Sequence, residues 1–220
     1  MDIGFIFIWI ILFTWRKDIR KEMLIMSALW GFVGLIAGKI YIKDWWCPLT
    51  IMGIIPSIED FIFGFVIGGI ASIIYQALFL KKMKRINKQY KTRNLNIISL
   101  LSLLGIIFIG TVYILKVNTL IASILAWGVP LIIIYIRRKD LIKNSLISGL
   151  IITIIAVFIY QLTEIITPGW INLFWSFEFF GNLTILKIPL EEYIWFFLAG
   201  AFIGPLYEYW QEAKLIKRKR

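Results

Sequence analysis

Two pairs of adjacent carboxylates stand out in a chain that is otherwise strongly apolar. Glu59 and Asp60 lie in Pro56-Ser57-Ile58-Glu59-Asp60, and Glu191 and Glu192 in Pro189-Leu190-Glu191-Glu192; each pair opens a long apolar run. A carboxyl group set among apolar groups is a candidate general acid or base, able to give a proton to a substrate and take one back. All four are therefore candidate catalytic residues. A helix N-terminus favours the ionised form, whereas burial and a second nearby carboxyl favour the neutral one. The structural alternative is that acids in a first helical turn merely complement the helix dipole and face water. Two matched pairs weigh against that alternative.

Aromatic rings follow each pair: Phe61, Phe63 and Phe65 after the first, Tyr193, Trp195, Phe196 and Phe197 after the second. Phe63 stands four residues beyond Glu59, and Trp195 four beyond Glu191 and three beyond Glu192, so ring and carboxyl share a helical face. Ring faces attract cations, which makes Phe63, Trp195 and Phe196 candidate substrate contacts. Trp45, Trp46, Trp170 and Trp175 precede the pairs, and an interfacial aromatic belt is the favoured account of them. Gln161 and Glu164 close another apolar run, where Glu164 is expected to join the site as a further substrate contact. Glu208 stands sixteen residues beyond Glu192, about 24 Å along a helix, and is expected to pair with the basic tail.

Composition narrows the chemistry. Of 220 residues 60% are apolar, and the mean hydropathy is +0.84, outside the range of soluble domains. The absence of His excludes His-based acid–base and metal chemistry, and the single Cys, Cys47, excludes an intramolecular disulfide or a cysteine zinc site. There is no GxGxxG, P-loop or GxSxG. The net charge of +11 sits in short runs between apolar stretches, the pattern of cytoplasmic loops rather than of nucleic-acid binding. The opening Met1-Asp2-Ile3-Gly4 lacks a basic start, so the first apolar run is read as retained.

These features predict an all-α, multi-pass protein of the cell membrane. Seven spans are read at 3–15, 23–42, 58–80, 97–115, 119–136, 145–166 and 190–210, most near the ~20 residues that cross a bilayer. The first is the shortest, and an interfacial or re-entrant segment is its alternative. Segments 16–22, 81–94, 137–143 and the tail from Lys214 hold 20 of the 24 Lys and Arg. The positive-inside rule then sets the N-terminus outside and the C-terminus in the cytoplasm.

The chain also repeats itself. Arg16-Lys17-Asp18 recurs as Arg138-Lys139-Asp140, 122 residues on, and the acidic pairs recur at 132. The ten extra residues fall within 167–187. Gly34–Gly38, Gly64–Gly68 and Gly200–Gly204 are GxxxG pairs, read as packing within the bundle rather than as dimer contacts. The organisation expected is a three-helix unit with a basic loop over 1–94, a linker helix over 95–118, and a second unit with a basic tail over 119–220. An odd linker span makes the two units parallel, in a 3+1+3 arrangement.

This plan, the PxE(E/D) elements and the run IPLEEYIWFF resemble the integral-membrane lycopene cyclases, and in particular their fused seven-span form. The resemblance covers nearly the whole chain; its specific part is Pro189–Glu192, with Pro56–Asp60 as a looser copy. It implies a redox-neutral cyclisation of the end groups of an acyclic carotenoid. A carboxylic acid protonates the terminal double bond, the next double bond attacks the tertiary cation, and a base removes a proton. Rings would shelter the cation and exclude water. The partners implied are a lipid-soluble polyene and membrane lipids, with no nucleic acid, no metal and no cofactor.

Two alternatives stay open. A parallel 3+1+3 repeat is also the plan of small membrane transporters, but these need polar contacts at the midplane, where 97–115 and 145–160 carry only Ser, Thr and Gly among small polar groups. The other is a non-catalytic relative that binds or positions a lipid.

Overall fold

The computed structural model describes residues 1–46, 50–51, 53–86, 96–175, 179–181 and 183–217. Cys47, and the part of the first basic loop at 87–95 that contains the 94/95 unit boundary, lie outside the described residues.

Apolar runs become helices wherever they were read. Helix α1 (Asp2–Trp15) leads through a 3-10 turn (Lys17–Ile19) into α2 (Arg20–Tyr41), followed by α3 (Ile58–Leu78) and strand β1 (Lys81–Arg85). Then come α4 (Ile97–Tyr113), α5 (Thr119–Arg137), a second 3-10 turn (Lys139–Leu141), α6 (Ile142–Ile166) and α7 (Trp170–Phe174). A two-stranded hairpin, β2 (Thr184–Ile185) and β3 (Ile188–Pro189), precedes α8 (Leu190–Ile203), α9 (Leu206–Trp210) and β4 (Ala213–Lys217). The run at 190–210 is thus two helices. Pro205 follows the end of α8, and proline carries no N–H to continue a helical ladder.

Four segments are long and apolar enough to cross a membrane: Lys17–Tyr41, Ile58–Leu78, Thr119–Arg137 and Lys139–Ile166. These make the chain a membrane protein. Helix α1, with 14 residues, reaches ~21 Å, short of the ~30 Å hydrocarbon core; α4 and α8, with 17 and 14 residues, are also shorter.

The basic segments gather at one end of the bundle. Arg16 clamps Asp18 at 3.0 Å and donates to the Lys81 carbonyl at 2.8 Å. Arg138 clamps Asp140 at 2.8 Å and donates to the Ala213 carbonyl at 2.7 Å. Each arginine thereby fixes a 3-10 turn to the first residue of a strand. Strands β1 and β4 pair antiparallel, Lys81 opposite Lys217, Met83 opposite Leu215 and Arg85 opposite Ala213. An offset of 132 carries Lys81 to Ala213 and Arg85 to Lys217, so the ladder maps onto itself.

Glycines let helices approach closely within the bundle. Helices α2 and α3 meet at Gly34 and Gly64, where a Cβ on Gly34 would lie 3.3 Å from the Gly64 Cα. Gly200 of α8 meets Gly149 of α6 in the same manner, its Cβ position 3.0 Å from the Gly149 Cα. The glycines therefore serve packing inside the bundle.

Candidate functional site

Away from the basic end the helices enclose a cavity of about 530 Å³, walled mainly by apolar and aromatic side chains from α1, α2, α3, α5, α6, α7 and α8. Carboxylates reach it from three helices: Asp2 of α1, Glu59 and Asp60 of α3, and Glu192 of α8.

Glu192 is the most firmly held. Its Oε1 accepts from the indole N–H groups of Trp45 at 2.9 Å and Trp175 at 2.7 Å, and its Oε2 accepts from the Tyr160 hydroxyl at 2.6 Å. The carboxylate is only 6% exposed, yet both oxygens have donors, as a buried charged or polar group requires. Trp45, Trp170 and Trp175 are buried as well. This corrects the aromatic-belt account: these rings wall the cavity, and two of their N–H groups are spent on the acid rather than on interfacial water. Trp46, half-buried, meets Trp175 edge to face at 4.4 Å, and the two residues form an isolated antiparallel bridge joining their segments.

Glu191 is not on the cavity wall. Successive helical residues point about 100° apart, and with Glu192 turned inward Glu191 is turned to the side. Glu191 instead accepts from the Phe180 backbone N–H at 3.0 Å, securing the segment before the hairpin. The first pair divides in a comparable way. Glu59 Oε1 accepts from the Ile51 backbone N–H at 2.8 Å, securing the linker before α3, although Glu59 also borders the cavity. Asp60 Oδ2 accepts from the backbone and side chain of Ser57 at 2.7 and 3.0 Å, while Ser57 Oγ accepts from the Asp60 N–H at 3.2 Å. That reciprocal pair is a capping box. Its room comes from Gly38, where a Cβ would fall 2.5 Å from the Asp60 Cγ.

The rings divide likewise. Phe63 and Trp195 line the cavity and stack with centroids 5.9 Å apart. Trp195 donates its N–H to the Tyr41 hydroxyl at 3.0 Å, which bonds in turn with Ser123 Oγ at 2.9 Å. Phe196 stands behind this wall, packed edge-on against Trp195, Phe63 and Tyr160. Glu164 lies apart from the cavity. It accepts from the Gly169 N–H at 3.2 Å and pairs with Lys187 at 3.5 Å, so it fastens the turn after α6. Gln161 donates to the Leu186 carbonyl at 2.6 Å. Among the described residues Glu208 makes no ion pair with the basic tail: it is fully buried and bonded to Asn144 and Gln76.

Sequence reasoning missed Asp2, Tyr41 and Tyr160. For the tyrosines there was a signal: a phenol inside an apolar run needs a hydrogen-bond partner when buried, and a nearby acid supplies one.

Fold and site together define a helical membrane protein with an apolar, ring-walled chamber reached by several carboxylates. Residues 116–210, from just before α5 to the end of α9, match the family model for lycopene cyclase. That stretch contains Tyr160, Trp175, Glu191, Glu192 and Trp195 but not Glu59 or Asp60. The match supports kinship with the lycopene cyclase family over the second part of the chain. Neither the curated proteins nor the solved structures give a match.

Proposed function

We propose that the chain is a lycopene cyclase-like membrane enzyme that closes the end groups of an acyclic carotenoid by acid-catalysed, redox-neutral cyclisation. The observation that carries this reading is Glu192, fixed by three donors on the wall of a chamber built mainly of rings and aliphatic groups. A chamber of about 530 Å³ falls in the range of small-molecule sites, roughly 300–1,000 Å³. It suits an end group entering from the bilayer with part of its chain.

In the proposed reaction a carboxyl protonates the terminal double bond. The resulting tertiary cation is attacked by the next double bond, forming the ring C–C bond, and a carboxylate then removes a ring proton. The proton taken up is returned, so the product is an isomer of the substrate and no redox cofactor is consumed. Glu192 and Asp60, the second member of each pair, are the leading acid–base candidates, with Glu59 beside them on the facing wall. Phe63 and Trp195 offer ring faces to the cation, and the mainly apolar lining limits the water that would trap it. Glu191 acts through position, holding the segment that carries Trp175 close to α8. Phe196 supports the Trp195 and Tyr160 rings from behind.

The same reading gives a duplicated unit over 1–94 and 119–220 joined by a linker helix at 95–118. Seven spans would cross the cell membrane, with the N-terminus outside and the basic end in the cytoplasm. The self-matching β1–β4 ladder and the paired arginine clamps support the duplication.

The test is expression in bacteria that accumulate lycopene, with pigments separated by chromatography and weighed by mass spectrometry. The expected result is a ring-containing product of unchanged mass, absent with Glu192→Gln. Unconverted lycopene from well-expressed wild-type protein overturns lycopene as the substrate.

A further inference from the structure

At the end of the bundle away from the cavity, four polar side chains meet inside the core. Gln76 Nε2 of α3 donates to Glu22 Oε1 of α2 at 2.8 Å and to Glu208 Oε1 of α9 at 3.2 Å. Asn144 Nδ2 of α6 donates to Glu208 Oε1 at 2.9 Å and to the Gly204 carbonyl at 3.4 Å. Glu22, Gln76 and Glu208 are 2%, 0% and 0% exposed. Ser148 covers the remaining Asn144 oxygen at 3.1 Å.

The amide donors of the cluster are then spent, but its acceptors are not. Glu22 Oε2, Glu208 Oε2 and Gln76 Oε1 are buried and meet no donor among the described residues. Glu22 and Glu208 both accept from the one Gln76 amide nitrogen, which brings the two carboxyls close together. Charge is unbalanced in the same place. Arg16 and Arg138 face the carboxylates, but each is clamped to its own aspartate, Asp18 or Asp140. Arg138 Nη1, also without a partner among the described residues, makes no hydrogen bond to the cluster. Ionised, the two carboxyls would place two negative charges in a core that penalises unpaired charge heavily. What is missing is positive and must approach oxygen atoms.

We propose that Glu22, Gln76 and Glu208 form a binding site for a small cation, either a hard metal ion or hydrons carried on the carboxyls. An all-oxygen donor set selects hard cations of the sodium, magnesium or calcium type over soft metals. Glu22 and Gln76 precede the linker helix, and Glu208 and Asn144 follow it. At the offsets of 122 and 132, Glu22 corresponds to Asn144 and Gln76 to Glu208. Each half thus supplies one acid and one amide, and an occupant ties the halves together. The site stands independently of the cyclase reading.

The test uses the full chain purified in detergent and freed of metal by a chelator in choline chloride. Thermal unfolding is followed from pH 5 to 9 with sodium, potassium, magnesium or calcium chloride added at constant ionic strength. Wild type is compared with Glu22→Gln and Glu208→Gln, which keep side-chain shape. The charged and titratable groups facing the pair, Arg16, Asp18, Arg138 and Tyr207, are untouched in both variants. A metal occupant gives a saturable rise in Tm with one of the salts, lost completely in each variant. Hydrons give a Tm indifferent to all four salts that falls as pH rises, because the folded state holds protons that the unfolded chain releases. They also give a protonated-carboxyl infrared band that weakens in each variant. Wild-type protein with no salt response, no pH response and no protonated-carboxyl band overturns the proposal, and that result does not depend on either variant folding.

Discussion

Tyr160→Phe separates a carboxylate held in place from one that merely lies nearby. The change deletes one oxygen and leaves a ring that packs edge-on against Trp170 at 5.2 Å, Trp175 at 5.7 Å and Phe196 at 5.9 Å. The lost hydroxyl is the donor to Glu192 Oε2. A buried acceptor stripped of its donor costs about 1–3 kcal/mol, whereas removing both partners of a hydrogen bond is nearly neutral. In an otherwise wild-type chain Tyr160→Phe should therefore destabilise by about 1–3 kcal/mol. In a Glu192→Met chain the orphan is the hydroxyl itself, so the same change should cost about zero or stabilise slightly. The coupling, on the order of 1–3 kcal/mol, is read from a double-mutant cycle. Reversible unfolding by sodium dodecyl sulfate in mixed micelles, followed by circular dichroism, supplies the four free energies. Equal costs of Tyr160→Phe in the two backgrounds would refute the reasoning and return Tyr160 to a packing role.

Three more outcomes follow from the same geometry. Glu192→Gln should abolish pigment conversion, a loss on the order of 10²-fold or more for a proton-transfer group, while Glu191→Gln, whose side-chain oxygen can still accept from Phe180, should keep most of it; chromatography of the carotenoids compares them. Gly38→Ala pushes a methyl into the Asp60 carboxylate and should cost about 1–3 kcal/mol, whereas Gly105→Ala, with nothing within 4 Å of the new carbon, should be neutral or stabilise by up to ~1 kcal/mol; thermal unfolding in detergent reads both. Glu164→Gln loses a pair whose lysine is 78% exposed, so its effect on unfolding should stay below about 1 kcal/mol.

The positions of the helices were legible because apolar runs of this length have few other fates. The break between α8 and α9 was legible too, in Pro205, but hydropathy averages over a proline. The acid pairs were visible as types and spacing, while the partners of each acid were not. Trp45 and Trp175 follow the same pattern. A sequence can show that tryptophans cluster near the ends of spans, and the belt rule then applies by default. Whether an indole N–H meets water or a carboxylate depends on contacts 17 and 147 residues away. Glu164 differs for the converse reason: one partner, the Gly169 N–H, lies five residues on in the chain, and local hydrogen bonds to a turn compete with any longer reach. Glu208 illustrates a third limit. The nearby basic tail suggested an ion pair, but burial of α9 gave the acid amide partners from two other helices instead.

Adjacent acids on a helix point about 100° apart, so the two members of a pair take different partners. What an adjacent pair can do is serve two purposes at one place. In both pairs the first acid accepts from a backbone N–H of the preceding linker, Ile51 for Glu59 and Phe180 for Glu191. Those linkers run on from the segments that carry Trp45 and Trp175, the donors to Glu192. The first acid thus helps hold in place the segments from which the second acid of α8 takes its donors. The division is sharper in α8 than in α3, where Glu59 still borders the cavity and Asp60 also caps its own helix. Asp60 is also one methylene shorter than Glu192, a length that suits the reach back to Ser57. If one carboxylate leads the chemistry it is Glu192: its oxygens bond only to side chains of the chamber wall and take no part in capping a helix.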